Sequence, residues 1–511
     1  MSTPEMAAAR EQVRAAIRAS IEQDGIGHGR LLGIADTSAK PSRYNIVIPL
    51  TGGRALAFNT VTSALAVWSD IDVQNYERLQ REDVNIRSPE LRDFVAAGYL
   101  VPRDMDEVAD QEERYNNVRF DPARLTMTVA PTMACNFGCD YCFQGADKPS
   151  TMMSQEVQDA FVAYLDQKLE GRKHLHIAWY GGEPLLGLKV IESLSARIIA
   201  LCNAKKVGYS GFIVTNGYAL NKDVAQRLWA CGVTSCQITL DGAAEYHDKR
   251  RALLSGRGTY DRILTNIQGW INEVPIMVST RVNIDERNLD GVLGLLEDLA
   301  ARGLGRRKNF GVYMAPVEAI TEVCHGCSNV AMTKRSYAKL EVLLYRRAFE
   351  LGLTGLPKPP AYLGNCQAIR PGGILLLPTG DLHKCWDTVH DAKHRVGTIF
   401  EPDLIPESPR FKAWIDWSPF KNNTCRNCRI LPNCAGACAH KFVNPTVTLG
   451  EAGALPCPSW KFNIVERLIL RAEKMGVITS ADIIPGAGET SADIVGRNHT
   501  FESVAAYAAT N

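Results

Sequence analysis

Apolar and polar positions follow one repeating rhythm through the middle of this chain, and the rhythm predicts its architecture. From Leu125 onward, β-type apolar runs alternate with helix-type segments of about 12 to 18 residues. The predicted strands are LTMTVA from Leu125, HLHIAWY from His174, GFIVT from Gly211, SCQITL from Ser235, PIMVSTRV from Pro275 and NFGVYM from Asn309. Predicted helices lie near residues 154–170, 187–204, 221–230, 259–272 and 288–302. This alternation predicts an α/β fold with a parallel sheet, and six units favour an open partial (β/α)6 barrel.

The first 120 residues carry a different pattern. A helical stretch at 7–23 precedes the runs YNIVIPL and RALAFNTV, which predict a hairpin because Gly52-Gly53 separates them. Residues 63–68 and 89–97 are predicted helices, and the second closes at Gly98 before a strand at 99–101. This order predicts a small winged-helix-like unit.

After about residue 320 the rhythm stops, and cysteine, glycine and proline punctuate the chain as far as Cys457. An amphipathic helix is predicted at 462–475, followed by a tail rich in Gly, Ala, Thr and Ser. We therefore divide the chain into an N-terminal unit at 1–120, a partial barrel at 121–320, a bridging segment at 321–365, a second metal domain at 366–460 and a C-terminal helix and tail at 461–511.

The composition predicts a soluble protein from a reducing compartment. The 511 residues are 46% hydrophobic and 22% charged with a net charge of +1, which gives no argument for binding nucleic acid or an anionic membrane. The N-terminus MSTPEMAAAREQ lacks the apolar region of a signal peptide, and we expect a cytoplasmic protein. Fifteen cysteines, mostly in close groups, fit metal ligation better than a disulfide framework.

Three cysteines follow the first predicted strand directly, as Cys135-X3-Cys139-X2-Cys142. Three thiolates leave one iron of a 4Fe-4S cluster without a protein ligand, and that iron can chelate the amino and carboxylate groups of S-adenosylmethionine (SAM). A zinc knuckle or a chance group of cysteines is the alternative, although zinc sites normally close with four ligands.

A second motif, Gly181-Gly182-Glu183-Pro184, ends the second predicted strand. Paired glycines let backbone approach a ligand closely, and the carboxylate could hold an ammonium group. CX3CX2C after the first strand and GGEP after the second together resemble the radical SAM superfamily, across about residues 121–320.

Further matches in order resemble the peptide- and protein-modifying branch of that superfamily. They are TNG at 215–217, TLDG at 239–242, His247-Asp248, Arg251 and the segment 256–260. The SAM contacts implied by the resemblance are Tyr141 beside the adenine, Glu183 with the Gly181 and Gly182 backbone at the amino group, and Thr239 and Arg251 at the carboxylate and ribose. Asn216 is a further cofactor-binding residue by the same resemblance. Taken singly, Asp241-Gly242 also fits a simple turn and Arg251 a solvated charge.

Seven more cysteines lie in the C-terminal part, at Cys366, Cys385, Cys425, Cys428, Cys434, Cys438 and Cys457. Their pattern resembles the SPASM extension of maturases, which carries two auxiliary 4Fe-4S clusters and implies three clusters in total. By that resemblance Cys366, Cys385 and Cys438 hold the first auxiliary cluster, and Cys425, Cys428, Cys434 and Cys457 hold the second. A zinc ribbon is the alternative.

The sequence departs from the fullest SPASM pattern, because PKPPAYLGN stands where a further cysteine is expected before Cys366. The first auxiliary cluster therefore either has an open iron or takes Cys324 or Cys327 of the upstream CHGC as its fourth ligand. An unreactive pair of thiols on a loop is the plain alternative for CHGC.

The resemblance implies that SAM is cleaved to methionine and a 5′-deoxyadenosyl radical, which takes hydrogen from a substrate while an auxiliary cluster accepts the remaining electron. A flavodoxin or ferredoxin would supply the reducing electron. The N-terminal unit is similar to the peptide-recognition domains of peptide maturases, so we expect the leader of a ribosomally made precursor to add a strand to the hairpin edge. A stabilising cap on the barrel is the alternative.

The leading hypothesis is thus a peptide maturase that forms an intramolecular thioether or carbon-carbon crosslink. A sulfatase-type maturase that makes formylglycine is the second, but those enzymes place an aspartate base directly after the cysteine matching Cys385. Here Trp386 stands there, and Asp387 is the candidate base one residue later. A non-catalytic iron-sulfur or zinc redox regulator is the hypothesis from a different class.

Overall fold

The fold is taken from a computed structural model. It describes residues 38–142, 144–145, 149–318, 332–355, 359, 364, 366–444 and 457–485. The helix predicted at 7–23, the cysteines Cys324 and Cys327, and the tail beyond 485 lie outside the described residues, as does most of PKPPAYLGN.

The described chain alternates strands and helices through its middle. The strands are β1 Ala39–Pro41, β2 Asn45–Pro49, β3 Ala55–Asn59, β4 Leu65–Trp68, β5 Leu100–Pro102, β6 Arg124–Val129, β7 His174–Trp179, β8 Gly208–Thr215, β9 Val233–Thr239, β10 Met277–Ile284, β11 Phe310–Pro316, β12 Ile374–Leu376, β13 Asp381–His383 and β14 Gly397–Thr398. The helices are α1 Asp70–Leu79, α2 Arg92–Ala96, α3 Glu107–Arg119, α4 Gln155–Lys168, α5 Leu188–Lys205, α6 Lys222–Ala230, α7 Ala244–Arg250, α8 Tyr260–Trp270, α9 Leu289–Ala301, α10 Lys334–Glu350, α11 Pro409–Asp416, α12 Asn423–Arg426, α13 Leu431–Cys434, α14 His440–Val443 and α15 Ile464–Lys474.

The six predicted strands of the middle region are confirmed as β6 to β11. They lie side by side in chain order and every neighbouring pair is parallel. Consecutive parallel order places all their carboxyl ends at one edge of the sheet. The loops that follow these strands, and the cysteine motif among them, therefore meet at that edge.

The helices of this region cover the sheet because each has one apolar face. In α8 the buried side chains recur at helical spacing: Tyr260, Ile263, Leu264, Ile267 and Trp270. Asn221 caps the start of α6, where its side chain accepts a hydrogen bond from the Val224 amide over 3.0 Å. The predicted helices are confirmed to within a few residues of their ends.

The sheet continues beyond the predicted barrel. β12 pairs in parallel with the outer side of β6, and β13 and β14 follow it in antiparallel order, which gives a nine-stranded sheet among the described residues. The C-terminal cysteine region is thereby joined to the central sheet through backbone hydrogen bonds, including Ala130 N–H to Leu376 O at 2.9 Å. The strand pairing thereby connects the chain around Cys366 and Cys385 to the sheet that carries the first cysteine motif.

The N-terminal unit contains the predicted hairpin, with β2 and β3 antiparallel and Gly52 and Gly53 at φ 70° and 71° in the turn. The helix predicted at 63–68 is wrong: Leu65–Trp68 is the strand β4, paired with β3. Local alanines favour a helix there, but tertiary packing decides the outcome, because the Trp68 ring lies among Tyr76, Phe94 and Tyr99.

The predicted helix at 89–97 is confirmed as a 3-10 turn followed by α2, and Gly98 closes it at φ 78° before β5. The three-stranded sheet β2-β3-β4 packs one face on the C-terminal region, where Ile46 and Phe58 share a core with Trp417 and Leu468. The predicted C-terminal helix is confirmed as α15. In the part of the chain that the structure covers, no helix is long and apolar enough to cross a membrane.

Candidate active site

The cysteine motif occupies the loop after β6, at the carboxyl edge of the sheet. Cys135, Cys139 and Cys142 are all half-buried there. A neighbouring segment holds the loop by its backbone: the Gly138 amide donates to Ala252 O over 3.0 Å. Main-chain contacts therefore hold this loop against the segment that follows α7.

The two glycines of GGEP pass directly against the chain that leads into Cys135. A Cβ on Gly182 would lie 2.2 Å from the carbonyl oxygen of Ala134, and one on Gly181 would lie 2.2 Å from that of Thr132. The Gly182 amide donates to the Thr132 oxygen over 3.2 Å, and the Glu183 amide donates to the Ala134 oxygen over 2.7 Å. Only glycine permits this approach, so the two sequence motifs form one structural unit.

Glu183 ties the ends of two strands together. Its carboxylate accepts from the Leu185 amide at 3.0 Å, the Thr215 hydroxyl at 2.7 Å and the Asn216 amide at 2.7 Å. Burial raises its pKa, and these donors only partly offset that effect. A carboxylate has about four acceptor positions, and donors from the described part of the chain fill three of them, which allows a further donor such as an ammonium group.

Asn216 joins the end of β8 to the cysteine loop. Its side-chain amide donates to Asn136 Oδ1 over 2.8 Å, and Asn136 lies directly after Cys135. Thr239 lies at the end of the next strand, β9, and is buried. The predicted residues Asn216, Thr239 and Glu183 therefore lie at successive strand ends of one edge.

Tyr141 is the centre of a buried polar network. Its hydroxyl donates to the Asp241 carboxylate and accepts from the Arg251 guanidinium at 2.6 Å and from the Asn283 side chain at 3.1 Å. The Arg250 guanidinium lies 4.9 Å from the centre of the Tyr141 ring. The network links the cysteine loop to the ends of β9 and β10.

Arg251 remains positively charged in this network because its pKa is raised. Burial acts to lower its pKa, but Cys139, Tyr141 and Asp241 outweigh that effect and hold the pKa well above its ordinary value. Arg251 is buried, so it is not a solvated charge, and Asp241 is fully buried beside it. The structure brings both beside the cysteine motif.

Sequence reasoning missed an aromatic contact between the two cysteine regions. Tyr180, the residue before Gly181, stacks on Trp386, the residue after Cys385, with ring centres 3.5 Å apart. Burial raises the pKa of Tyr180, and Asp387 and Cys142 raise it further while Arg281 opposes them. Arg281 alternates along β10 with the buried Thr280 and Val282, so the two-residue period of the strand is the sequence signal that could have placed its side chain on the opposite face of the sheet.

The structure gathers Cys366, Cys385 and Cys438 in one group. Burial raises the pKa of Cys385 well above its ordinary value, and the charges of Asp387, Cys438 and Cys366 add to this effect. The Cys385 thiol lies 3.6 Å from Asp387 Oδ2. Partial burial also raises the pKa of Asp387, so the candidate base is a half-buried carboxyl beside the Cys385 thiol.

The remaining four C-terminal cysteines gather in a second group. The pKa of Cys434 is raised well above its ordinary value by burial and then by Cys457, Cys425 and Cys428. Burial raises the pKa of Cys428 to about 11. Lys461 Nζ donates to Cys457 Sγ over 3.4 Å.

The chemistry of these donor groups fits iron-sulfur clusters. Thiols that lie close together raise one another's pKa, because two neighbouring thiolates repel each other. A bound metal cation removes this repulsion and stabilises the thiolates. Cys202, Cys231 and Cys236 are buried in the sheet and its helices, as expected for small hydrophobic side chains. Over the described ranges, no three His, Cys, Asp or Glu side chains are arranged to hold a single metal ion.

Comparison with known proteins identifies the central region. Residues 129–299 match the family described as the radical SAM superfamily. The mycofactocin maturase MftC of Mycolicibacterium smegmatis is 27% identical over 340 residues, which are 63% of this chain and 79% of that protein. The cysteine-type anaerobic sulfatase-maturating enzyme of Clostridium novyi is 28% identical over 364 residues, covering 66% of this chain and 93% of that protein.

A solved structure, "Native anSMEcpe with bound AdoMet", shares the fold. It superposes with a TM-score of 0.54 at 17% identity, covering 69% of this chain and 98% of that chain. The mostly parallel sheet and its helices are therefore shared with that structure, and the radical SAM family match at residues 129–299 lies within them.

Proposed function

We propose that this enzyme, which carries a radical SAM domain at residues 129–299, oxidatively modifies a ribosomally made precursor peptide. The observation that carries the proposal is the stack of Tyr180 on Trp386. It joins the segment that packs against the chain leading into Cys135 to the C-terminal cysteine region. A peptide side chain held beside these rings would lie between a radical source and an electron acceptor. The similarity to a mycofactocin maturase and a sulfatase-maturating enzyme supports a polypeptide substrate.

A radical SAM domain implies a 4Fe-4S cluster and SAM. Cys135, Cys139 and Cys142 would hold that cluster and leave one iron for SAM, which when bound supplies a radical that removes hydrogen from the substrate. The free acceptor position of Glu183 would hold the SAM ammonium group. The buried charge of Arg251 would attract the SAM carboxylate, and the Tyr141 network would keep that guanidinium oriented.

The two C-terminal groups of cysteines would hold auxiliary 4Fe-4S clusters, for three clusters in total. Cys425, Cys428, Cys434 and Cys457 provide a full set of four ligands. The group around Cys385 provides three, so its fourth position is open or taken by Cys324 or Cys327, which lie outside the described residues. Reduced thiols for all these ligands fit a reducing compartment such as the cytoplasm.

The N-terminal unit would bind a leader peptide as an added strand, as in a winged-helix-like recognition domain. Within the three-stranded sheet, β2 and β4 are the outer strands. The outer side of β2 lacks an amide at Pro49, and its end is bridged to Ile483. The Asn59 amide donates to Ala64 O, so by alternation the amides of Leu65 and Val67 point away from β3. We therefore assign the leader to β4.

The expected product is an intramolecular thioether or carbon-carbon crosslink. The alternative, oxidation of Cys or Ser to formylglycine, is supported by one observation: the half-buried carboxyl of Asp387 lies 3.6 Å from the Cys385 thiol. One observation opposes this alternative. The position directly after Cys385, where sulfatase-type maturases have an aspartate, holds Trp386, whose ring stacks on Tyr180.

Incubating the anaerobically reconstituted full chain with its precursor peptide, SAM and a reductant tests the proposal. The precursor is sought as a short open reading frame beside the gene. A crosslink removes two hydrogens and suppresses fragment ions between the joined residues, whereas formylglycine reacts with an aldehyde probe. Equal turnover of leaderless and full-length peptide would contradict leader recognition, and an unmodified precursor with SAM cleaved would contradict the substrate class.

A further inference from the structure

Leu254 is exposed beside the first cysteine motif. Its side chain is 70% exposed, the largest value for a large hydrophobic residue in the described part of the chain. Its amide donates to Asn136 O over 3.0 Å, so the backbone that carries it is fixed against the cysteine loop. An exposed apolar side chain held this close to a redox centre suits contact with a partner protein.

An aromatic contact path runs from this surface to the first cysteine. The Phe137 amide donates to Cys135 Sγ over 3.5 Å, and the buried Phe137 ring meets the half-buried Tyr218 ring edge-on at 6.1 Å. The Arg262 guanidinium lies 6.0 Å from the Tyr218 ring centre. Phe137 also bridges Leu253, the residue before Leu254. The exposed loop and the aromatic path therefore share Phe137.

The exposed charges around this loop are mainly positive. The exposed basic residues of segment 245–262 are Lys249, Arg257 and Arg262. Of the exposed acids there, Asp261 is paired with Arg302 at 2.7 Å, and Glu245 lies one helical turn before Lys249. Arg257 is held in the same loop as Leu254 by the Leu253 amide, which donates to Arg257 O over 2.9 Å, and Arg262 lies over the Tyr218 ring. Positive charge beside exposed apolar surface fits an acidic partner.

We propose that Leu254, Arg257, Arg262 and the Tyr218 ring form a docking surface for a small acidic one-electron carrier of the flavodoxin type. This inference rests on the proposed function, because it needs a cluster on the first motif to receive the electron. One electron leaves the flavin hydroquinone, which becomes the semiquinone, and enters that cluster. No bond is broken, and no other reactant is required.

The test compares a protein reductant with a small one. Leu254→Asp and Arg257→Glu are made in the full chain, and Leu343→Asp serves as the matched control because Leu343 is 65% exposed on α10. Reduced flavodoxin or dithionite is mixed with each reconstituted protein and SAM, and 5′-deoxyadenosine from a single turnover is timed. Binding of oxidised flavodoxin is measured separately by its flavin fluorescence.

With flavodoxin, each variant of the surface is expected to react about tenfold more slowly and to bind more weakly, and added salt should shrink the difference. With dithionite, all proteins should react alike, and Leu343→Asp should match the unchanged chain with both reductants. Flavodoxin rates and affinities that are equal in all proteins would overturn the docking surface alone. No 5′-deoxyadenosine from the unchanged chain with dithionite would overturn the proposed function with it.

Discussion

At the scale of single residues, Gly182 controls how the first cysteine loop is built. Its missing side chain lets the end of β7 pass within hydrogen-bond distance of the chain that precedes Cys135. The sequence predicts this glycine pair as a place of close approach, but to a ligand rather than to the protein's own backbone. Which partner approaches depends on tertiary contacts that local sequence does not contain.

Gly182→Ala is expected to displace the cysteine loop, because the new Cβ would lie 2.2 Å from Ala134 O. The cost should be about 1 to 3 kcal/mol, with less iron bound after reconstitution and weaker SAM binding. Gly269→Ala is the control, since no atom lies within 4 Å of the added Cβ and alanine favours a helix such as α8. Equal iron content and SAM affinity in the two variants would contradict this role for Gly182.

His247 predicts a pH dependence of stability. Burial, followed by the charges of Arg251 and Arg250, lowers its pKa well below the ordinary value. Its Nδ1 accepts from the Asp241 amide at 3.3 Å, so the neutral ring donates from Nε2 to the Thr259 hydroxyl at 3.1 Å. The unfolded chain binds a proton here below pH about 6.5 while the folded chain does not, so this residue's contribution to stability falls as pH falls.

Thermal unfolding of His247→Gln and of the unchanged chain, each at pH about 7.5 and about 5.5, checks this point. The unchanged chain should lose more of its Tm on acidification than the variant does. Equal losses would show that His247 is not held neutral.

At the scale of elements, the sequence predicts the long strands well and the short ones poorly. β6 to β11 have six to eight residues each, with enough apolar β-type positions to be recognised locally. β12 and β13 have three residues each and exist through their pairing to β6 and to one another. β4 was mistaken for a helix for the same reason, because its strand pairing is a tertiary property.

Val67→Pro tests the assignment of the leader to β4. Proline removes an amide that points away from β3 and should weaken leader-peptide binding about tenfold, while the sheet persists because an outer strand tolerates proline. Val47→Pro removes the corresponding outward amide of β2 and is the matched control. A fluorescent leader peptide reports the affinities, and an equal loss in both variants would refute the preference for β4.

At the scale of the whole molecule, one sheet connects the radical SAM domain to the C-terminal cysteine region. The groups of cysteines that the resemblance implies lie together in the structure, but the contact between the regions was not foreseen. Tyr180 and Trp386 are 206 positions apart in the chain, and no local sequence pattern predicts a contact over that separation.

Iron content tests the proposed number of clusters. Three 4Fe-4S clusters predict about 12 iron atoms for each reconstituted chain. Replacing Cys428 and Cys434 with alanine should remove about 4 of them and leave the spectrum of the SAM-bound cluster unchanged. Full iron content in that double variant would exclude the second auxiliary cluster, and a loss of all iron would show that the sites do not assemble independently.

The central claim is that Cys135, Cys139 and Cys142 hold a cluster that cleaves SAM reductively. Its most direct test is to incubate the anaerobically reconstituted full chain with SAM and dithionite and to quantify 5′-deoxyadenosine by mass spectrometry. The account predicts that 5′-deoxyadenosine forms with the unchanged chain and is lost in Cys142→Ala. Absence of 5′-deoxyadenosine from the unchanged chain with its clusters intact, or equal amounts from the Cys142→Ala variant, would contradict it.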